Sequence, residues 1–402
     1  MKDNFCIVPW IHLNPEPSGV VKPCCAYFEE GDYPNLKNMT LEEIWNCDSQ
    51  KTIRKSFLNN EIPKGCSSCS QREESYNHSL RMAMNDRFGH HIEYAKNNTR
   101  EDGHFETFQL YYWDFRFSNI CNFKCRMCGH GCSSQWYEES FEFFKGFIGN
   151  KPKILDKDYY GKDLMTYVDQ FIDSVEEIYF AGGEPLLMTE HYRILDMLIE
   201  KERFDVFLRY NTNLSTLKYK TYDMIEIWKK FDKVEIFASL DGYGDNAEYS
   251  RNGTEWPRVE KNLKALLDSK LEIRISVTVN IFNIFHIPDL LLYLSNMNVN
   301  LRTVIPTILS YPSYYRISVL TDDLKKQVKE KFETSIESFP EHQRNRVSEL
   351  YDGILVVLNQ PSNEQDIKQF YNLTNRFDKS RNENIVEVVP EYKTWFAEIK
   401  KG

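Results

Sequence analysis

No apolar run in the chain approaches the ~18 residues that a bilayer-spanning helix requires, so the sequence predicts a protein without a transmembrane helix. The start, Met1-Lys2-Asp3-Asn4, leads straight into Phe5-Cys6 and carries no secretory pattern, which predicts a cytoplasmic location. Positive charge is in deficit, with 50 Lys and Arg against 60 Asp and Glu and a formal charge of -10. That balance argues against a broad nucleic-acid-binding surface, though a local basic cavity would not register in the sum. No internal repeat or low-complexity segment is evident. With 402 residues the chain buries a sizeable core without covalent staples. Its ten cysteines are therefore expected as thiols in a reducing compartment, available as ligands.

The cysteines are concentrated where chemistry is expected. Cys121-Asn-Phe-Lys-Cys125-Arg-Met-Cys128 places three thiols at x3 and x2 spacing after a strand. Three ligands hold three corners of an iron-sulfur cube and leave one iron open to a substrate or cofactor. Zinc is the plainer alternative, and His130 or Cys132 would then supply the fourth ligand.

Residues 1–105 read as an irregular, cysteine-rich domain interrupted by Pro9, Pro15, Pro17, Pro23, Pro34 and Pro63, organised around something other than a large core. Residues 106–310 change character, with short apolar strands near 111–118, 176–180, 204–211, 233–240, 271–279 and 300–306 alternating with helical stretches such as 189–202 and 255–269. Six β-α units predict an α/β fold, a partial (β/α)6 TIM-like barrel with a parallel sheet. Residues 311–402 read as a helical C-terminal region. After Thr321, the pair Asp322-Asp323 suits a first helical turn, and Leu324, Val328, Phe332 and Ile336 recur every fourth residue.

Period two sorts the strand faces. Between residues 271 and 280 the apolar positions face covering helices, which turns Arg274, Ser276, Thr278 and Asn280 inward. The same count turns Phe237, Ser239 and Asp241 inward, with Asp114, Arg116 and Ser118 on the first strand and Arg209, Asn211 and Asn213 on the third. Arg116, Arg209 and Arg274 then either receive an anionic ligand or pair with carboxylates such as Asp114 and Glu235.

The three-cysteine motif, Ala181-Gly182-Gly183-Glu184-Pro185 at the end of the next strand and Ser239-Leu-Asp241-Gly242 at the end of a later one together resemble the radical S-adenosylmethionine superfamily over residues 111 to about 306. The resemblance implies a [4Fe-4S] cluster on Cys121, Cys125 and Cys128 whose open iron chelates S-adenosylmethionine. It also implies reductive cleavage to a 5′-deoxyadenosyl radical that removes hydrogen from substrate. Gly182 and Gly183 would allow close backbone approach, Glu184 would meet the methionyl amino group, and Arg251 its carboxylate. Ser239 and Asp241 would sit near the ribose, with Asn213 and Asn280 at the same mouth. The family usually has an aromatic residue before the third cysteine; here Met127 stands there, and methionine can pack against adenine.

Cys6, Gly19-x4-Cys24 and Cys66-x2-Cys69 resemble the twitch-type auxiliary-cluster domain of that superfamily, here ahead of the barrel. Four thiolates would complete a second [4Fe-4S] cluster suited to electron relay, with Cys25 an alternative to Cys24 and a zinc knuckle the alternative chemistry. Cys25, Cys47 and Cys132 are otherwise spare. The implied partners are S-adenosylmethionine, a peptide or small anionic substrate, and an electron donor such as flavodoxin or ferredoxin. The expected function is a radical enzyme modifying a peptide or protein residue. The alternatives are a dehydrogenase or epimerase of a sugar phosphate or nucleotide and, more remotely, a non-catalytic zinc-binding interaction protein.

Overall fold

A computed structural model describes residues 3–76 and 78–400. The chain divides into two bodies, each assembled from separated segments. The first takes the chain up to Cys121, His130–Asn211 and Ile227–Val234; the second takes Asn122–Gly129, Thr212–Glu226 and the chain from Glu235 onward.

In the first body, the proline-rich segment is more ordered than its sequence predicts. It contains α1 (Asp48–Leu58), α2 (Ser67–Tyr76) and α3 (Leu80–Arg87), the last capped by Ser79, whose hydroxyl accepts from Met82 N. Pro9 lies in a single 3-10 turn and Pro63 caps another, positions that need no proline N–H. Phe5, Trp10, Trp45 and Phe57 are buried, so this segment has an apolar core after all. The fully buried Arg54 is held in it, donating from Nε to Pro9 O at 2.9 Å and from Nη1 to Asn46 Oδ1 at 3.0 Å.

The first strand, β1 (Tyr112–Trp113), is much shorter than the expected 111–118. Beyond Trp113 the backbone finds other partners. Asn14 Nδ2 donates to Asp114 O and Arg116 N to Pro15 O, so the N-terminal segment satisfies groups that a sheet neighbour would otherwise take. β1 runs parallel to β2 (Glu177–Phe180), and β2 to β3 (Phe207–Thr212), with Tyr179 opposite Arg209. Between β2 and β3, α4 (Thr189–Glu200) buries His191, Ile194, Leu195 and Leu198, the one-sided spacing of an amphipathic helix.

In the second body, β4 (Val234–Ser239, its first residue counted with the other body) is followed by α5 (Gly244–Ser250) and α6 (Trp256–Asp268). β5 (Glu272–Val279), α7 (Ile287–Asn296) and β6 (Val304–Ile308) complete the β-α pattern. β5 is parallel to both β4 and β6, with Ser276 opposite Ser239 and Val279 opposite Ile308. Ile275, Val277 and Val279 are buried while Arg274, Ser276 and Thr278 are only partly so, as period two requires. The helical region follows as α8 (Asp322–Ser335), α9 (Glu341–Leu358) and α10 (Glu364–Arg381). Thr321 Oγ1 accepts from Leu324 N to open α8, and Leu324, Val328 and Phe332 are buried along it.

The class is therefore α/β, with three parallel strands in each body and a helical C-terminal region. Among the described residues no helix is long and apolar enough to cross a membrane.

Candidate functional site

The cysteine loop is anchored on the second body by a short antiparallel ladder. Lys124 and Cys125 pair with Asn252 and Arg251, so Arg251 stands directly opposite Cys125. Arg126 N donates to Ser250 O at 2.9 Å, and Cys128 N closes a tight turn onto Cys125 O at 3.0 Å. Asn122 is gripped through its side chain: Oδ1 accepts from Asn213 Nδ2 at 3.0 Å and from Ser215 Oγ at 3.3 Å. Gly253 lets the ladder close. Its φ is +97°, and a Cβ there would lie 2.8 Å from Asn122 O.

Arg251 is oriented by Asp241, with Nη1 to Oδ2 at 3.0 Å. The other carboxylate oxygen of Asp241 accepts from Thr278 N at 2.6 Å, and Asp241 is only 2 % exposed. Both oxygens thus have protein partners, and Asp241 acts on Arg251 and β5 rather than standing open toward a ribose. Cys125 is buried, yet the hydrogen bond with Cys128, reinforced by the positive charge of Arg251, lowers its thiol pKa to about 7. Ser239 sits half-buried at the end of β4, opposite Ser276. Asn280 is completely buried, donating from Nδ2 to Thr278 O and accepting at Oδ1 from Phe282 N, which makes it a turn-forming residue. Asn213 likewise caps its own turn, accepting at Oδ1 from Ser215 N.

On the first body, Asn119 organises the approach to Cys121. Its Oδ1 accepts from Leu155 N, and its Nδ2 donates to His130 O and Lys153 O. A ring nitrogen of His130 lies 3.0 Å from Lys153 O, so that residue, considered above as a zinc ligand, takes part in fixing the loop. The Gly182-Gly183-Glu184 turn packs on the residue before Cys121: Glu184 N donates to Ile120 O at 2.8 Å. Gly183 has φ +53°, and a Cβ would fall 2.3 Å from that same oxygen. Glu184 is buried, with Oε1 accepting from Leu186 N at 3.2 Å.

All three arginines singled out by the face count have carboxylate partners. Arg116 lies on Asp114 at 3.1 Å, Arg209 on Glu177 at 3.3 Å, and Arg274 on Glu235 and Glu272. These contacts favour the structural-network reading, each half-buried guanidinium having a counter-charge within the protein.

Cys6, Cys24, Cys66 and Cys69 line one cavity together with Tyr27 and Arg81. Cys25 is exposed and is absent from that lining, whereas Cys24 faces it. Burial pushes the Cys66 thiol up to about 12 and raises those of Cys6 and Cys24 well above the usual thiol value. Thiols this costly to ionise become thiolates when a bound metal centre supplies the missing positive charge. Tetrahedral zinc would draw its sulfurs to about 3.8 Å of one another, from bonds of about 2.3 Å. Among the described residues these four thiols do not form a group with all ligand atoms within 4.8 Å of one another. The group that does converge so closely is His90, His91 and Glu176, where each imidazole is already hydrogen-bonded to the carboxylate.

Residues 115–290 match the model of the radical SAM superfamily, and residues 6–70 match that of the iron-sulfur cluster-binding SPASM domain. The chain belongs to the radical SAM superfamily. The first match contains the three-cysteine loop, Gly182 to Glu184, Ser239, Asp241, Arg251 and Asn280; the second contains all four cysteines of the N-terminal cavity. Residues 115–290 thus carry a radical SAM catalytic domain. Solved structures similar to it include native anSMEcpe with bound AdoMet, 19% identical over 55% of this chain and 58% of that one, TM-score 0.40. Native anSMEcpe with bound AdoMet and Cp18Cys peptide is 16% identical over the same shares, TM-score 0.36. Streptococcus suis SuiB bound to precursor peptide SuiA is 12% identical over 84% of this chain and 67% of that one, TM-score 0.34. The chain thus spans 58% of the length of the anSMEcpe chain. No curated protein matches.

Several residues that hold these loops escaped the motif reading. Asn119, Asn122 and Gly253 flank the motifs and act through side-chain or backbone approach that spacing does not encode. Arg126, inside the cysteine motif, carried a visible signal: a charged residue next to a cysteine that the fold buries.

Proposed function

We propose that the chain reductively cleaves S-adenosylmethionine and abstracts hydrogen from a residue of a peptide or protein. The observation that carries this reading is the anchoring of Cys125 directly opposite Arg251, itself oriented by Asp241. Cys121, Cys125 and Cys128 would hold a [4Fe-4S] cluster, which when bound supplies the electron that splits the sulfonium into methionine and a 5′-deoxyadenosyl radical. By the family resemblance, Arg251 would meet the methionyl carboxylate and Glu184 its amine, each a charge-assisted pairing. Gly182 and Gly183 admit the backbone close to the ligand, and Ser239 is the hydroxyl left for the ribose. Asp241 and Asn280 shape this wall, and Asn213 fixes the loop through Asn122.

Residues 1–105 are the auxiliary domain in this reading, with Cys6, Cys24, Cys66 and Cys69 holding a second [4Fe-4S] cluster. Residues 106–310 form the partial (β/α)6 barrel and 311–402 the helical extension. A flavodoxin- or ferredoxin-type donor would supply electrons. The peptide reading is favoured over a sugar phosphate or nucleotide by the pairing of Arg116, Arg209 and Arg274 with carboxylates, which removes the cationic groups a small anion would need. Family members with auxiliary clusters also often act on peptides.

The test is anaerobic reconstitution followed by reduction with S-adenosylmethionine present. The expected result is release of 5′-deoxyadenosine by the wild type and none by Cys125→Ala. Deuterium transfer into 5′-deoxyadenosine from labelled peptide pools, and not from labelled sugar phosphates or nucleotides, supports the substrate class. The opposite labelling outcome replaces it, and tetrahedral zinc in both cysteine sites with no cleavage ends the enzymatic reading.

A further inference from the structure

The C-terminal helical region reaches the cysteine motif from 252 residues away. Arg126, between the second and third cysteines, is 1 % exposed. Its Nη2 donates to Asp378 Oδ1 and to Glu383 Oε2, its Nε to Tyr249 O at 3.3 Å, and its guanidinium lies over the Tyr249 ring, 3.7 Å from the centroid. The two carboxylates grip both strands of the ladder. Glu383 also accepts from Asn252 Nδ2 at 2.6 Å, the residue paired with Lys124, and Asp378 accepts from Tyr249 OH at 2.8 Å. They come together because α10 ends in a left-handed residue, Asn382 with φ +53°. That turn brings Glu383 N back onto Asp378 O at 2.8 Å, while Asp378 Oδ2 takes Ile385 N.

This arrangement is more than packing. A buried guanidinium with two carboxylates is costly to desolvate and is held together only by accurate geometry. That accuracy is applied at the one segment where Cys125 and Cys128 must be fixed relative to Arg251. We propose that Asp378 and Glu383 are positioning residues for the three-cysteine cluster: through Arg126 and Asn252 they fix the loop, so the helical extension is part of the cluster site rather than an appendage. The inference rests on the reading of that loop as a cluster site.

The experiment compares the full chain with Glu383→Gln, Arg126→Lys and the triple variant Arg126→Met, Asp378→Asn, Glu383→Gln, which removes both signs of buried charge together. After anaerobic reconstitution, iron per chain, thermal melting and the electron paramagnetic resonance spectrum of the reduced protein with and without S-adenosylmethionine are measured. The triple variant is expected to fold but to fall from about eight irons toward about four, to lose the spectral change caused by S-adenosylmethionine, and to keep the auxiliary-cluster signal. Glu383→Gln should show a smaller effect in the same direction, and Arg126→Lys, which keeps the charge, should retain more of the first-cluster signal than the triple variant. Full iron with an unchanged spectral response overturns the proposal, as does equal loss from both clusters, which indicates only a damaged fold. If changing Cys121, Cys125 and Cys128 to Ala removes no iron from the wild type, the cluster-site reading itself fails, and this inference with it.

Discussion

Arg251 Nη1 lies 3.0 Å from Asp241 Oδ2, and the same arginine is paired in register with Cys125. One salt bridge therefore links the end of β4 to the cysteine loop, with side-chain exposures of 14 % and 2 %. Asp241→Ala should leave a buried guanidinium without this partner and a Thr278 N–H without its acceptor, a loss of about 3–5 kcal/mol for a broken buried pair. Urea unfolding measures it. Asp241→Asn, which keeps the shape and one acceptor, should be milder in stability yet still slow release of 5′-deoxyadenosine, because Arg251 loses its fixed orientation. Wild-type kinetics in Asp241→Asn would count against this linkage.

Gly183→Ala should be disproportionately damaging for a single methyl group. The left-handed backbone alone costs about 1–2 kcal/mol for an L-residue, and the new Cβ would fall 2.3 Å from Ile120 O, a backbone atom next to Cys121. The turn must move, and Cys121 with it. Iron content of the first cluster is expected to drop while the auxiliary cluster stays filled; retention of both would show that the turn relaxes without disturbing the loop.

The two sets of cysteines should separate in function. Cys125→Ala should abolish cleavage of S-adenosylmethionine, whereas Cys69→Ala should lower iron but preserve uncoupled cleavage. Equal inactivity of both variants, with iron intact at the first site, would contradict a division of labour between the two clusters.

Buried histidines predict an acid-side loss of stability. Burial lowers His12 from 6.5 to about 4 and His191 from 6.5 to about 3. The folded state keeps both neutral, whereas the unfolded chain protonates them near 6.5, so below that pH the unfolded state binds more protons. This contribution is complete above pH 6.5, falls as pH drops toward about 4 for His12 and about 3 for His191, and levels off below those values. The urea midpoint should decline across that window, and His191→Leu should flatten part of the slope even if it lowers the plateau by removing the contact with Tyr210 OH. An unchanged slope would mean that His191 is not the titrating group.

The radical SAM class was legible in the chain because its signals are local. Cys121-x3-Cys125-x2-Cys128, Gly182-Gly183-Glu184 and Ser239-x-Asp241 each lie within one turn or strand end, and strand periodicity is a property of consecutive residues. The core of the N-terminal segment was less legible, since prolines that break long elements are equally at home at the first turns of short ones.

The sequence by itself determined the family, the α/β alternation and the seven cysteines worth watching, because spacing along a chain fixes which side chains can share a turn. Tertiary structure decided who partners whom. Whether Arg209 faces a ligand or Glu177 depends on the register of β2 against β3, and whether Cys24 or Cys25 joins Cys6, Cys66 and Cys69 depends on which thiol the fold turns into the cavity. The hold of Asp378 and Glu383 on Arg126 spans more than 250 residues and leaves no periodic trace in the chain. A buried charge states that it needs a partner, but only the folded chain brings that partner within reach.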